Sequence, residues 1–144
     1  MSSHLTRIEQ ARSRQQPSLL LDAVPYARFL GLEMSVDAEG HLQTRMPFSE
    51  HLVGNPGVPA LHGGTMSSLL ETVAVMTTLW ELSPSNHPRT ITLTTDYLRP
   101  ALLEDTFARA EFIRAGRRVI AVELRAWQRA DRLVASGRAH LLIG

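Results

Sequence analysis

Apolar and polar residues alternate strictly from residue 32: Leu32, Met34, Val36 and Ala38 are apolar, with Glu33, Ser35 and Asp37 between them. After a turn signal at Glu39-Gly40, Leu42, Thr44, Met46 and Phe48 fall on one side of a second limb. A period of two predicts a β-hairpin with one buried face. The period changes in residues 64–82, GTMSSLLETVAVMTTLWEL, where Met66, Leu69, Leu70, Val73, Met76, Thr77 and Trp80 recur at helical steps. With Ala74, Val75 and Leu79 added, apolar positions cover most of the circumference, which predicts a helix buried inside the domain. A narrow polar stripe remains at Ser67, Ser68, Glu71, Thr72 and Thr78.

A period of two returns after SPSNHP (83–88). Residues 90–100 place Ile91, Leu93, Thr95 and Tyr97 on one face, and residues 105–114 set Phe107, Arg109, Glu111 and Ile113 against Thr106, Ala108, Ala110 and Phe112. Turns at Ala115-Gly116 and Ala130-Asp131 join two more runs, one with Ile120, Val122, Leu124 and Ala126 on a face and one beginning at Arg132. Three strands joined by tight turns predict an antiparallel meander. Upstream, LLLDAVPYARFL (19–30) reads as short helical turns around Pro25 ending near Gly31. Residues 1–18 read as a polar N-terminal helix or tail, and residues 19–144 as a single domain. The order is β-β-α-β-β-β-β. It predicts an α+β fold in which about six antiparallel strands wrap one long apolar helix. The hotdog architecture is such an arrangement.

Composition narrows the function. Fifteen basic and fourteen acidic residues leave a net charge of +1, which argues against nucleic acid or an anionic membrane as partner. All the basic residues are arginine, so Schiff-base chemistry and a lysine-dependent phosphate loop are excluded. Without cysteine there is no disulfide, thiolate metal site or thiol nucleophile. The polar N-terminus lacks the apolar core of a signal peptide, and no run of about 18 apolar residues offers a membrane span. A cytoplasmic location is expected. The remaining histidines, His4, His41, His51, His87 and His140, show no ligand spacing, so no metal is expected.

Chemistry concentrates around NPGVPALHGGTMSSLLET (55–72). Two glycines opening a helix let a substrate approach the backbone closely. The free N–H groups and the positive dipole end there suit an oxygen that gains negative charge. A carboxylate such as Glu71 is able to activate water or to attack a carbonyl. The bland reading of Glu71, Ser67 and Thr72 is a solvated helix face, and of the arginines a row of surface charges. His62 is read as fixing its loop by hydrogen bonds.

His62-Gly63-Gly64, Leu69 and an acid at 71 resemble the HGG-x4-L-x-D/E motif of hotdog thioesterases, most closely the phenylacetate-degradation (PaaI-like) branch. Asp96-Tyr97-Leu98-Arg99-Pro100-Ala101, GRRV (116–119) and DRLVASGRA (131–139) resemble later stretches of that branch, and strand order agrees over residues 20–143. The resemblance implies hydrolysis of an acyl-CoA thioester, with Glu71 as base or nucleophile, Gly63 as oxyanion donor and His62 in a positional role. It implies that Asn55 orients water or carbonyl, although it stands seven residues before His62 where the family has six. Gly64, Ser67 and Met66 would border the substrate. Arg99, Arg117 and Arg118 are suited to coenzyme A phosphates. Coenzyme A enters only as part of the substrate, and no separate cofactor is implied.

Geometry adds a constraint. Eight residues of one helix separate Gly63 from Glu71 by about 12 Å, too far to share one thioester carbon. A site using both requires two chains with antiparallel helices, hence a homodimer, and the resemblance implies a dimer of dimers. Two other readings compete. His51 begins HLVGNPGVPA, which resembles a stretch of hotdog hydroxyacyl dehydratases and would pair His51 with Glu71. The second is a non-catalytic acyl-CoA-binding module, favoured by Val75 four residues after Glu71, where some relatives carry a polar side chain.

Overall fold

The computed structural model describes residues 3–144; residues 1–2 of the polar N-terminal segment and the side chain of His4 lie outside the described residues. Three short helices come first: α1 (Ser3–Ser13), α2 (Ser18–Leu21) and α3 (Pro25–Leu30). Pro25 starts α3 where its missing N–H costs nothing, and Gly31 ends it in the left-handed region at φ 72°. Ile8 and Ala11 bury one side of α1, and its Arg12 guanidinium donates to the Trp80 carbonyl near the end of the long helix.

The hairpin β1 (Glu33–Val36) and β2 (Leu42–Met46) is tighter than the alternation predicts. Asp37 closes it by accepting from the Glu39 and His41 N–H groups, so Ala38 is in the turn, and Phe48 lies beyond β2, partly exposed. The 20-residue helix α4 (Gly63–Leu82) then leads to β3 (Arg89–Tyr97), β4 (Thr106–Ala115), β5 (Val119–Gln128) and β6 (Arg132–Leu142). The sheet order is β1-β2-β4-β5-β6-β3, and every pairing is antiparallel.

Helix α4 lies on one face of this sheet, the hotdog arrangement. The strands meet it with small side chains: Ala108, Ala110, Ala126, Ala135 and Ala139 are all buried. Into that space α4 places Leu69, Leu70, Val73 and Met76, each at most 1% exposed. Burial of each such side chain is worth about 1.5–3 kcal/mol. Thr78, which the sequence puts on the polar stripe, is fully buried and turns its hydroxyl back to the Ala74 carbonyl.

Strand β3 is an edge. It pairs with β6 and with no other strand among the described residues, and Ile91 and Tyr97 are more than half exposed. The approach to β6 is close at Gly137, where an added Cβ would lie 2.5 Å from the Thr94 carbonyl oxygen. No helix among the described residues is long and apolar enough to cross a membrane.

Candidate active site

The start of α4 is held from three directions. His62 N–H donates to the Leu52 carbonyl, and Leu61 N–H donates to the Ala101 carbonyl, both at 2.8 Å. Val53 and Leu61 form an isolated bridge that closes the loop between them. Behind Ala101, the buried Gln128 side chain fixes Leu102 by two 2.8 Å hydrogen bonds, donating to its carbonyl and accepting from its N–H. Nothing in the sequence signals Gln128 as part of this support.

His62 is the N-cap. Its Nδ1 accepts the Gly64 N–H at 2.8 Å, and its carbonyl accepts the Thr65 N–H. Its ring proton therefore sits on Nε2. The Gly63 N–H has no acceptor among the described residues and lies at the positive end of a 20-residue helix. The glycines make room for this turn. An added Cβ at Gly54 or Gly64 would come within 2.9 Å of the His62 ring, and one at Gly63 would lie 3.3 Å from the Tyr97 ring.

Tyr97 was not singled out by sequence reasoning as a site residue, although it lies in the DYLRPA stretch. Its hydroxyl is 3.1 Å from the Gly63 carbonyl and 2.7 Å from Ser67 Oγ, which also donates to Thr95 Oγ1 at 3.0 Å. The three hydroxyl groups tie the end of β3 to the first turn of α4. Met66, next to Ser67, points into the core and is 2% exposed. Asn55 Oδ1 accepts the Gly57 N–H and shapes the loop.

Glu71 lies two turns along α4 and is exposed in the single chain. The helix is unbroken between Gly63 and Glu71, so the separation of about 12 Å stands. Beside Glu71 is a half-open concavity of about 190 Å³ whose lining includes Val24, Val75, Met76, His87 and Thr90. A larger one of about 370 Å³, lined by Arg109, Glu111, Glu123, Arg125 and Trp127 among others, does not include Glu71. The first turn and the middle of α4 thus hold the two halves of the predicted chemistry, and one chain does not bring them together.

The other candidates are spread out. Arg99 is exposed and donates to the Leu133 carbonyl, and Arg117 and Arg118 lie exposed in the β4–β5 turn. His51 has both ring nitrogens engaged, Nδ1 with Ser49 Oγ and Nε2 with the Phe29 carbonyl, each at 2.7 Å. The dehydratase pairing of His51 with Glu71 therefore lacks a free base. Among the described residues no group of three or more His, Asp or Glu side chains converges on a possible metal position.

Known proteins share this architecture. A protein of Halobacterium salinarum named as an esterase is 34% identical over 72% of this chain and 70% of its own length. The medium/long-chain acyl-CoA thioesterase YigI of Escherichia coli K12 is 28% identical over 84% of this chain and 86% of its own length. The crystal structure of a phenylacetic acid degradation-related protein from Ralstonia eutropha JMP134 superposes with a TM-score of 0.73 and 28% identity, over 83% of this chain and 90% of that one. The Thioesterase superfamily profile matches residues 59–135, more than half of the chain, and the matched stretch includes the glycine turn, Glu71 and the strand that carries Tyr97. The hotdog sheet, its central helix and the glycine turn thus have one common origin: the chain belongs to the thioesterase superfamily.

Proposed function

We propose that the protein hydrolyses an acyl-CoA thioester to the free acid and coenzyme A, at a site shared between two copies of the chain. The observation that carries this reading is the unpaired Gly63 N–H. The other donors of its turn, Gly64 and Thr65, are taken up by His62, and this one is left for a ligand oxygen. A tetrahedral intermediate places such an oxygen there as an anion. Glu71 of the second copy either takes a proton from water, which adds to the carbonyl carbon, or adds itself and is then released by water. In both cases the C–S bond breaks and the thiolate leaves to be protonated.

Strand β3 supports the pairing of chains. It runs antiparallel to α4: Thr95 and Tyr97 meet Ser67, while Thr90 borders the concavity of Glu71. Its free edge offers hydrogen-bonding groups to a second β3. An antiparallel β3–β3 pairing about a two-fold axis sets the Gly63 end of one helix toward the Glu71 region of the other. Arg99, Arg117 and Arg118 are the arginines assigned to the coenzyme A phosphates.

The test uses two variants. Glu71→Gln is expected to lower kcat by about 10²–10⁴-fold. Gly63→Pro removes the N–H at a helix position that tolerates proline. The two inactive variants mixed and co-refolded regain about a quarter of the activity, because half the random dimers carry one intact site of two. A fully active Glu71→Gln protein would overturn the hydrolytic reading, and inactive mixed dimers would overturn the shared site.

A further inference from the structure

The free Gly63 N–H serves catalysis only while it keeps its aim. Two peptide planes meet at the Gly63 Cα. The N–H belongs to the peptide from His62, whose carbonyl accepts the Thr65 N–H at 2.9 Å and the Thr65 hydroxyl at 2.6 Å. In the peptide from Gly63 to Gly64, the N–H donates to His62 Nδ1 and the carbonyl accepts the Tyr97 hydroxyl at 3.1 Å. Of these partners, only Tyr97 comes from another element, 34 residues along the chain on β3. His62 and Thr65 shape the turn from within. Tyr97 ties it to the sheet.

The ring completes the contact. A Cβ added at Gly63 would lie 3.3 Å from Tyr97 Cε1, 3.5 Å from Cζ and 3.7 Å from the hydroxyl oxygen. The space that glycine leaves open here is therefore taken by the tyrosine ring, and a thioester oxygen must reach the N–H from another side. The phenol is held in turn, since Ser67 Oγ lies 2.7 Å from its oxygen and bonds Thr95 Oγ1 at 3.0 Å. A carbonyl accepts and never donates, so the Gly63 contact uses the phenol's own proton, which phenylalanine lacks.

We propose that Tyr97 is a positioning residue for the thioester hydrolysis: its hydroxyl holds the Gly63 carbonyl so that the neighbouring N–H stays aimed at the developing oxyanion. This rests on the hydrolytic reading above and adds to it the residue that aligns the oxyanion donor. Such a donor acts at about 2.7–3.1 Å from the oxyanion, and a misplacement of about 1 Å is able to cost about 10²-fold in rate. The loss falls on kcat, because the oxyanion exists only beyond the ground state.

The experiment compares wild type, Tyr97→Phe, Gly63→Ala and the double variant on hexanoyl- and palmitoyl-CoA, with Glu71→Gln alongside. Tyr97→Phe keeps the ring and is expected to lower kcat by about ten-fold, with KM within about two-fold and an unchanged melting temperature. Gly63→Ala displaces the ring and is expected to lower kcat similarly. The double variant should be no slower than either single one, because both act through one contact. In protein labelled with ¹⁵N-glycine, the amide peak missing from Gly63→Ala identifies Gly63, and Tyr97→Phe is expected to shift that peak. A wild-type kcat in Tyr97→Phe, a change confined to KM, or an unmoved Gly63 peak would each overturn the proposal. So would a loss of kcat that follows a lowered melting temperature, or effects that multiply in the double variant. If Glu71→Gln abolishes hydrolysis while Tyr97→Phe is fully active, only the role of Tyr97 fails. If Glu71→Gln stays fully active, the hydrolytic reading fails and takes this role with it.

Discussion

His62 Nδ1 accepts the Gly64 N–H at 2.8 Å, and this one contact decides which backbone donor at the head of α4 is free. The imidazole takes the second glycine's hydrogen and leaves the first. A histidine beside a candidate oxyanion donor is here a helix cap, and in the proposed reaction its influence passes through Gly63.

Removing the cap is expected to cost stability and activity together. His62→Ala should lower stability by about 1 kcal/mol, the usual loss when a capping side chain is deleted. His62→Asn retains a capping oxygen and should recover most of that loss. Thermal unfolding measures the first effect and kcat the second. A His62→Ala protein with unchanged kcat would contradict the assignment of His62 as the residue that positions the turn.

The two glycines are expected to differ. Gly64→Ala sets a Cβ 2.9 Å from His62 Nδ1 and must displace the capping ring, whereas at Gly63 the nearest atom is on the exposed Tyr97 ring at 3.3 Å, which has room to yield. Alanine is intrinsically the better helix former by about 1 kcal/mol, so an unhindered site would gain stability. Gly64→Ala is therefore expected to lower the melting temperature, and Gly63→Ala to lower it less or not at all.

Gln128 is expected to be intolerant of an apolar isostere. It is fully buried, and its amide serves both the N–H and the carbonyl of Leu102 and contacts Thr106 Oγ1 at 3.2 Å. Gln128→Leu strands those partners, at a cost of about 2–4 kcal/mol. Urea denaturation should show the lower midpoint. Because Leu102 adjoins the Ala101–Leu61 hydrogen bond, a further fall in kcat is expected under conditions where the variant is folded.

Acid is expected to weaken the fold through Asp105. The Phe48 N–H and the Arg45 guanidinium hold its carboxyl below the usual range. A folded-state pKa that is lowered gives stability that is present above the unfolded value of about 3.9 and is lost as pH falls through the folded value. In acid unfolding followed by circular dichroism, Asp105→Asn should be less stable than wild type at neutral pH. The difference should shrink below about pH 4.

The helix and strands were legible because their periods are strong. α4 begins within one residue of the apolar run that predicts it, and the period of two holds in the buried residues Thr106, Ala108 and Ala110 of β4 and Ile120, Val122, Leu124 and Ala126 of β5. Short elements were harder to place. Phe48 continues the alternation of β2 but lies past its end, and Thr78 has a polar name at a buried helical position where its hydroxyl bonds its own backbone. The HGG triplet marks the turn that opens α4. It did not disclose that one glycine hydrogen is spoken for, since that depends on the imidazole rotamer. Val24 and Gln128 are placed by long-range packing, and their neighbours along the chain carry no signal of it; the DYLRPA stretch marks the strand end of Tyr97 but not the contact of its hydroxyl with Ser67 and Gly63.

The position of β3 has a consequence for synthesis on the ribosome. The strand that delivers Thr95 and Tyr97 to the first turn of α4 has β6 as its partner within the chain, and β6 follows both β4 and β5. A nascent chain that has already made the glycine turn, the helix and β3 must hold that strand unpaired until β6 emerges. The glycine turn gains its tyrosine neighbour late in translation, and a ribosome stalled before Arg132 would display an unpaired β3 ready to join the same strand of a neighbouring nascent chain.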